Sequence, residues 1–171
     1  MLTGAPGAGK TTLLNAAAAA GMVTSPEVAR ELLRAPGGMD LRTSDPLGFA
    51  EAMAEAHVRE FERHAGSDGP VLFDRGFPDV VGFLDVSGLS VPDAVDRVCR
   101  TLRYSGPVLR APAWSEIYVQ DAERIQDWEQ AVASDEAVTA AWRRYGYDII
   151  ELPLTGVEER LAILKCLLKQ P

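Results

Sequence analysis

The chain has 171 residues, of which 47% are hydrophobic and 25% charged, and its formal net charge is −8 at pH 7. This length and composition are typical of one globular domain with a single sizeable core. The acidic balance argues against binding to nucleic acids or anionic membrane surfaces, since both favour a basic protein face. No apolar stretch reaches transmembrane length and the start lacks the pattern of a signal peptide, so we expect a cytoplasmic protein.

A glycine-rich motif lies near the start of the chain. Gly4-Ala5-Pro6-Gly7-Ala8-Gly9-Lys10-Thr11, followed by Thr12, fits the P-loop pattern G-x-x-x-x-G-K-[ST] at every fixed position. Its glycines allow tight turns that point backbone N–H groups at a polyanion. We expect Lys10 to reach the β- and γ-phosphates of ATP and the Thr11 hydroxyl to ligate Mg²⁺. The predicted nucleotide-binding residues are Gly4, Ala5, Pro6, Gly7, Ala8, Gly9, Lys10, Thr11 and Thr12.

The strand before this motif is unusually short. A P-loop normally follows a buried strand of about five apolar residues, but only Met1, Leu2 and Thr3 precede Gly4. We expect a truncated first strand that residues upstream of Met1 complete. From position 10 to position 20 the sequence is rich in Ala and Leu and has no helix breaker, which predicts a helix.

Short strands and longer helices alternate after this helix. Residues 22–24 predict a strand, and Ser25 is the expected N-cap of a helix over 26–35. Residues 37–44 contain two glycines and predict a mobile loop. A long amphipathic helix follows over 45–65, with His57 and His64 expected at its surface or at the edge of the core.

The apolar run 70–73 is typical of a buried parallel strand. Because ligands of α/β sheets bind at the carboxyl ends of the strands, Asp74 and Arg75 are expected to face a cleft. Thr155 and Glu158 form the pattern of a capping box that opens the last helix. The remaining predicted elements are helices over 78–86, 90–102 and 127–145 and strands over 108–109 and 147–152.

This alternation predicts an α/β fold in one domain that covers residues 1–171. We expect the three-layer fold of P-loop NTPases, with a parallel sheet of about five strands, the first truncated, and helices on both faces. Residues 112–127, between the fourth strand and a long helix, are the predicted lid.

Phosphoryl transfer needs cations that neutralise developing charge and a group that orients or deprotonates the acceptor. Lys10, Arg75 and a lid residue, Arg124, are the candidate cations. Asp74 could hold Mg²⁺ or act as general base, and Glu27, just after the second strand, is the other candidate base. Each has an ordinary structural alternative: an N-cap or a partner for a neighbouring arginine for Asp74, a helix-dipole partner for Glu27, an ion pair for Arg75 and an exposed charged face for Arg124.

Five stretches in a characteristic order carry a family resemblance: residues 3–14, 26–30, 73–76 with Asp79, 118–124 and 146–153. Together they resemble small bacterial P-loop ATPases classed as AAA-like, which are related to nucleoside-type kinases. The kinase domain of bifunctional ribosylnicotinamide kinases is similar. The resemblance covers nearly the whole chain, which departs from it by lacking most of the first strand.

The resemblance implies an Asp-Arg motif at the acceptor site, matched by Asp74 and Arg75, and a lid arginine, matched by Arg124. In deoxynucleoside kinases, which are more distant relatives, a glutamate after the second strand acts as base. Glu27 is similar in placement, so two candidates remain for one role.

The expected activity is ATP- and Mg²⁺-dependent transfer of the γ-phosphoryl group to a hydroxyl of a small molecule, with nucleoside-like compounds as one class of acceptor. The alternative is a P-loop ATPase that acts as a nucleotide-dependent switch for a protein partner. A degenerate binding module is disfavoured by the intact Lys10–Thr11 pair. We expect a monomer or a homodimer.

Overall fold

A computed structural model describes residues 1–118 and 127–168 of the chain. Five short strands alternate with eight helices in this described part. The strands are β1 (Leu2–Gly4), β2 (Val23–Ser25), β3 (Val71–Phe73), β4 (Val108–Ala111) and β5 (Ile149–Glu151). The helices are α1 (Lys10–Ala19), α2 (Val28–Arg34), α3 (Gly38–Ser44), α4 (Pro46–Arg63), α5 (Phe77–Val86), α6 (Asp93–Thr101), α7 (Trp128–Arg144) and α8 (Val157–Leu167).

All strand pairings are parallel. β4 lies between β1 and β5, and β2 pairs with β3. These two groups meet where Leu2 bridges Asp74 and accepts a hydrogen bond of 2.8 Å from the backbone N–H of Arg75. The order across the sheet is therefore β2-β3-β1-β4-β5. The predicted α/β fold with a parallel sheet of five strands and a short first strand is confirmed.

The sheet is buried on both faces because neighbouring residues of one strand point to opposite sides. Leu2 and Leu109 belong to a core with α1 and α8, whereas Met1 and Val108 belong to a core with α4, α5, α6 and α7. The larger core includes Trp142, which is fully buried. Helices on both faces complete the three predicted layers.

The close contact between α5 and α7 depends on a glycine. A Cβ added at Gly82 would lie 2.6 Å from Cγ1 and 2.7 Å from Cα of Val138. These distances are shorter than real van der Waals contacts allow, so only glycine lets the two helix backbones approach this closely.

Three local predictions are wrong. Residues 37–44, predicted as a loop, form α3, because Gly37 has a positive φ of 78° and turns the chain into a new helix instead of leaving it irregular. Ser25 ends β2 and donates to Glu60, so it does not cap α2, whose N-cap is Glu27. Thr155 does not form the predicted capping box, since Gly156 is the N-cap of α8.

Within residues 1–118 and 127–168, no helix combines the length and the apolar character that a membrane crossing requires.

Candidate active site

The P-loop motif, residues 4–11, runs from the end of β1 into the first turn of α1, and its backbone requires glycine at several positions. Gly4, Gly7 and Gly9 have φ values of 115°, 77° and 81°. At Gly4 a Cβ would lie 2.1 Å from the carbonyl oxygen of Ala111 on the neighbouring strand. The glycines of the motif therefore serve the loop conformation, and they leave a backbone cradle at the start of α1 of the kind that binds phosphate.

Lys10 is buried at the first position of α1 and lies across this loop. Its Nζ donates to the carbonyl oxygens of Ala5 at 2.6 Å and of Gly4 at 3.2 Å. Burial and the positive charge of Arg75 lower the pKa of Lys10 to about 8, with partial compensation by nearby carboxylates. The lysine is thus a buried cation next to the cradle.

Arg160, on α8, supports the P-loop from the other side, and sequence reasoning missed it. Its Nη1 donates to the carbonyl oxygen of Ala8 at 2.6 Å, and its Nε donates to that of Pro153 at 2.9 Å. The guanidinium also lies over the Trp114 ring, 5.2 Å from the ring centre. Arg160 and Ala8 are 152 positions apart in the chain. An isolated arginine in a helix has no sequence pattern that would predict a contact over this separation.

Arg75, directly after β3, has the one positive φ, 68°, of any non-glycine in residues 1–118 and 127–168. Non-glycine residues in this region are strained, and such strain is concentrated at functional sites. The side chain donates from Nε to Glu27 Oε1 at 3.1 Å and from Nη1 to Asp79 Oδ1 at 3.0 Å. From the sequence, Arg75 was predicted to face the cleft, with a structural ion pair as its alternative role. In the structure Arg75 does form such ion pairs, with Glu27 and Asp79.

Asp79, in the first turn of α5, accepts hydrogen bonds from Arg75 and from several other donors around it. Besides Arg75, it accepts from the Thr3 hydroxyl at 2.6 Å, from the Gly76 N–H at 3.0 Å and from the Trp142 indole N–H at 2.9 Å. The carboxylate is buried, and both of its oxygens accept from donors on β1, on the N-cap residue of α5 and on α7, as well as from Arg75. It fixes the position of Arg75 relative to the sheet.

Glu27 and Asp74, the two candidate bases, have different surroundings. Burial would raise the pKa of Glu27, but the charges of Arg75, Lys10 and Arg30 outweigh it and the pKa lies below its ordinary value. Burial and the nearby charge of Glu27 raise the pKa of Asp74 to about 6. Asp74 Oδ1 is buried and has no hydrogen-bond partner among the residues that the structure describes.

A cleft of about 830 Å³ runs along the carboxyl edge of the sheet. Its lining includes the P-loop residues Pro6, Gly7, Gly9, Lys10, Thr11 and Thr12. Glu27, Arg75 and Asp79 line it beyond the P-loop, on the side of β2 and β3. Thr155, which follows β5, lines it at the other end of the sheet. Ala5 and Ala8 are packed in the core below, and Asp74 does not line the cleft.

Two sequence predictions reach beyond the described residues. Arg124 lies outside residues 1–118 and 127–168, as does half of the predicted lid over 112–127. Trp114 and Ile117, in the described part of the predicted lid, line the cleft.

A family model described as an AAA domain matches residues 1–160. The chain belongs to this family. No curated protein matches the sequence of this AAA domain.

Solved structures of deoxyadenosine kinase from M. mycoides are similar to this AAA domain in fold. The form with bound dATP has a TM-score of 0.75 at 13% sequence identity, over 99% of this chain and 98% of the kinase. The form with the products dCMP and dCDP has a TM-score of 0.71 at 14% identity, over 96% and 95% of the two chains. The form with dCTP has a TM-score of 0.68 at 13% identity with the same coverage, 96% and 95%. The AAA domain therefore has the fold of P-loop nucleoside kinases.

The residues around the P-loop are compatible with Mg²⁺ in this AAA domain. Magnesium in such sites uses one or two protein oxygens together with substrate phosphates. Thr11 lines the cleft, and the buried Asp74 Oδ1 provides a carboxylate oxygen that no described residue engages. In the described ranges there is no cluster of three or more His, Cys, Asp or Glu that could hold a metal by itself.

Proposed function

We propose that this AAA domain is an ATP- and Mg²⁺-dependent phosphotransferase that moves the γ-phosphoryl group to a hydroxyl of a nucleoside-like small molecule. The observation that carries the proposal is the Glu27–Arg75 pair, which lines the same cleft as the P-loop. A carboxylate next to an arginine beside a phosphate cradle is what transfer to a hydroxyl requires. The dATP- and dCTP-bound kinase structures of the same fold support an acceptor of this class.

In this proposal the acceptor hydroxyl lies against Glu27. The hydroxyl oxygen forms a bond to the γ-phosphorus, the bond from that phosphorus to the bridging oxygen of ADP breaks, and Glu27 takes the hydroxyl proton. Its exposure to the cleft supports Glu27 as the residue that contacts the acceptor, because Asp74 is 4% exposed and does not line the cleft.

Cationic side chains stabilise the charge on the transferred group. Lys10 and Arg75 are within the cleft, and Arg124 is proposed to join them from the lid. Mg²⁺ would neutralise phosphate charge, held by Thr11 and, through water, by Asp74. Burial and the charge of Glu27 raise the pKa of Asp74, and the charges of Lys10 and Arg75 offset this only in part, so a further cation near this carboxylate would be favourable.

The test is ATP consumption by the purified protein with Mg²⁺ against a panel of nucleosides and other small hydroxyl compounds. We expect slow turnover alone, a sharp increase with one class of compound, and a phosphorylated product identified by mass spectrometry. ATP binding without stimulation by any compound, together with stimulation by a protein partner, would contradict the proposal and support a nucleotide-dependent switch.

A further inference from the structure

The wall of the cleft farthest from β5 is formed by α2 and α3, and both helices turn arginines towards it. On α2, Arg30, Leu33 and Arg34 have the i, i+3 and i+4 spacing of one helix face, and all three line the cleft. On α3, Met39 and Arg42 have the i, i+3 spacing and also line it. The spacing of each helix therefore presents a mixed apolar and cationic face to the ligand.

In the described part of the chain, the lining of the cleft is cationic although the whole sequence is acidic. Within residues 1–118 and 127–168, the charged side chains that line it are six cations, Lys10, Arg30, Arg34, Arg42, Arg75 and Arg160, and two anions, Glu27 and Asp79. Most of these cations have an assigned role or partner: Lys10 at the phosphates, Arg160 on the P-loop backbone, Arg75 between two carboxylates and Arg30 on Glu27 at 3.2 Å. In a chain of net charge −8, a further cation in this cleft needs an explanation.

Arg42 is that cation. It is half-buried, and in the described part of the chain no carboxylate lies within ion-pair distance of it. Burial lowers the pKa of Arg42, with no opposite charge to offset the effect, yet a guanidinium remains protonated at neutral pH. Taking an uncompensated charge out of water costs stability, and a ligand anion would remove that cost.

The backbone that carries Arg42 is held firmly against its neighbours. At Gly38, where α3 begins, a Cβ would lie 1.9 Å from the carbonyl oxygen of Leu32 on α2. At the other end of α3, Asp45 caps the next helix by accepting from the Gly48 N–H at 2.9 Å. The guanidinium therefore projects from a fixed corner, as a binding group must.

The rest of this wall adds no charge. His57, on α4, is buried and lines the cleft, in contrast to the predicted surface or core-edge position, and burial lowers its pKa to about 4, so it is neutral at pH 7. Met53 and Phe83 supply apolar surface beside it. This wall fits the flat, uncharged part of a nucleoside-like molecule with a single acidic substituent near Arg42.

We infer that the acceptor carries an anionic group, a phosphate or a carboxylate, remote from the hydroxyl that is phosphorylated, and that Arg42, on the same wall of the cleft as Arg34, binds this group. The inference rests on the proposed function and adds the charge of the acceptor to it. A planar guanidinium binds both carboxylate and phosphate through paired hydrogen bonds, so the two anions share one recognition chemistry.

The test compares acceptors in matched pairs that differ only in the anion. Uridine and orotidine differ by a carboxylate on the base, and adenosine and adenosine 3′-monophosphate differ by a phosphate. We expect the wild type to prefer the anionic member of at least one pair by about 10- to 100-fold in kcat/KM. Arg42→Gln should remove this preference and leave kcat/KM for the neutral member nearly unchanged. The pair that shows the preference identifies the anion as carboxylate or phosphate.

Arg59→Gln is the matched control. Arg59 lies on α4 outside the cleft, its side chain is 63% exposed, and it pairs with Glu55 at 3.7 Å. This variant makes the same change in net charge, so it should keep the preference that Arg42→Gln loses. Circular dichroism checks that both variants are folded.

Calorimetric measurement of acceptor binding, in the presence of a non-hydrolysable ATP analogue, distinguishes a failure of the anion site from a failure of the proposed kinase activity. Arg42-dependent binding of an anionic compound without any phosphoryl transfer would support the anion site and contradict the proposed kinase. Efficient phosphorylation of neutral compounds, with no preference in either pair, would support the kinase and overturn the anion site. Absence of binding and transfer for every anionic compound, or an equal loss for both members of a pair in Arg42→Gln, would also overturn it.

Discussion

Arg75 donates from Nε to Oε1 of Glu27 at 3.1 Å, although the two residues are 48 positions apart in the chain. The sheet explains the contact. β2 and β3 pair in parallel with Ser25 opposite Phe73, so Glu27 and Arg75 each lie two residues beyond a paired strand end. The pair is a direct consequence of strand register, and it brings a carboxylate and a guanidinium to the same point of the cleft.

The two candidate bases should separate in function. Glu27→Gln keeps an oxygen for Arg75 but cannot take a proton, so we expect kcat to fall about 10²- to 10⁴-fold with ATP binding nearly unchanged. Asp74→Asn should instead raise the Mg²⁺ concentration needed for half-maximal rate about 10- to 100-fold. Transfer rates over a Mg²⁺ titration, with nucleotide binding by calorimetry, measure both.

Glu31→Gln, an exposed substitution on the same helix as the arginines of the cleft wall, is the control and should behave like the wild type. The assignment is wrong if Asp74→Asn loses kcat at saturating Mg²⁺ and Glu27→Gln does not. Loss of transfer in neither variant would remove both residues from the mechanism.

The buried carboxylate of Asp74 should make the protein less stable at high pH. Its pKa is about 6 in the folded protein and 3.8 as an isolated group, so between these values the folded state holds a proton that the unfolded state has released. The free energy of unfolding therefore falls as the pH rises through this window, and the full cost is present above pH 6. Asp74→Asn should be more stable than the wild type at pH 8 by about 1–3 kcal/mol, with the difference disappearing towards pH 4.

Urea unfolding at a series of pH values measures this effect. Asp68→Asn, at an exposed position, removes the same charge without removing a buried one and should not alter the pH dependence. A less stable Asp74→Asn protein at pH 8 would show that the carboxylate is compensated in the folded state.

The sequence predicted the parts of the site that local patterns encode. The P-loop spacing identified residues 4–12 because the glycine positions follow from backbone geometry. Asp74 and Arg75 were both predicted to face the cleft because a continuous apolar run ends just before them and ligands bind at the carboxyl ends of parallel strands. Arg75 lines the cleft, whereas Asp74 is buried and does not. For Arg75 the pattern left an ion pair as the alternative to a functional role, and for Glu27 it left a helix-dipole partner; the structure pairs the two residues with each other inside the cleft.

Contacts that depend on packing could not be predicted in this way. The sequence indicated Asp79 only through the family resemblance and not through its contacts, because its partners Thr3 and Trp142 are 76 and 63 positions away. Arg160 gave no signal, since the P-loop carbonyl that it contacts is set by how α8 packs. The two glycines before α3 suggested a loop, but Gly37 and Gly38 instead make the tight corner that starts a helix.

Gly82→Ala should destabilise the contact between α5 and α7. Alanine favours a helix over glycine by up to about 1 kcal/mol, but its methyl group would collide with the backbone of Val138, and overpacking of this kind costs about 1–3 kcal/mol. We expect a lower free energy of unfolding by urea. Gly66→Ala, where a Cβ meets nothing within 4 Å, is the matched control. Equal stability of the two variants would mean that α5 and α7 can separate without cost.

Asp79 should be essential for stability as well as for the position of Arg75. Asp79→Ala leaves buried donors on Thr3, Trp142 and Arg75 without an acceptor, and breaking a buried charge pair costs about 3–5 kcal/mol. Trp142→Phe removes one of these bonds and should cost less. Chemical denaturation of both variants measures the difference, and a smaller loss for Asp79→Ala than for Trp142→Phe would contradict the central role of the carboxylate.

Lys10 should couple nucleotide binding to proton uptake. Its pKa is about 8, because burial and the charge of Arg75 disfavour the ammonium form, and a polyphosphate next to Nζ would favour that form. ATP binding just above pH 8 should therefore take up a fraction of a proton, which calorimetry in buffers of different ionisation enthalpy measures.

Lys10→Ala should abolish this proton uptake and lower the turnover at least about 100-fold. Lys165→Ala, an exposed change on α8, should keep both. Full turnover in Lys10→Ala would refute the role of the P-loop, and unchanged proton uptake would assign the titration to another group.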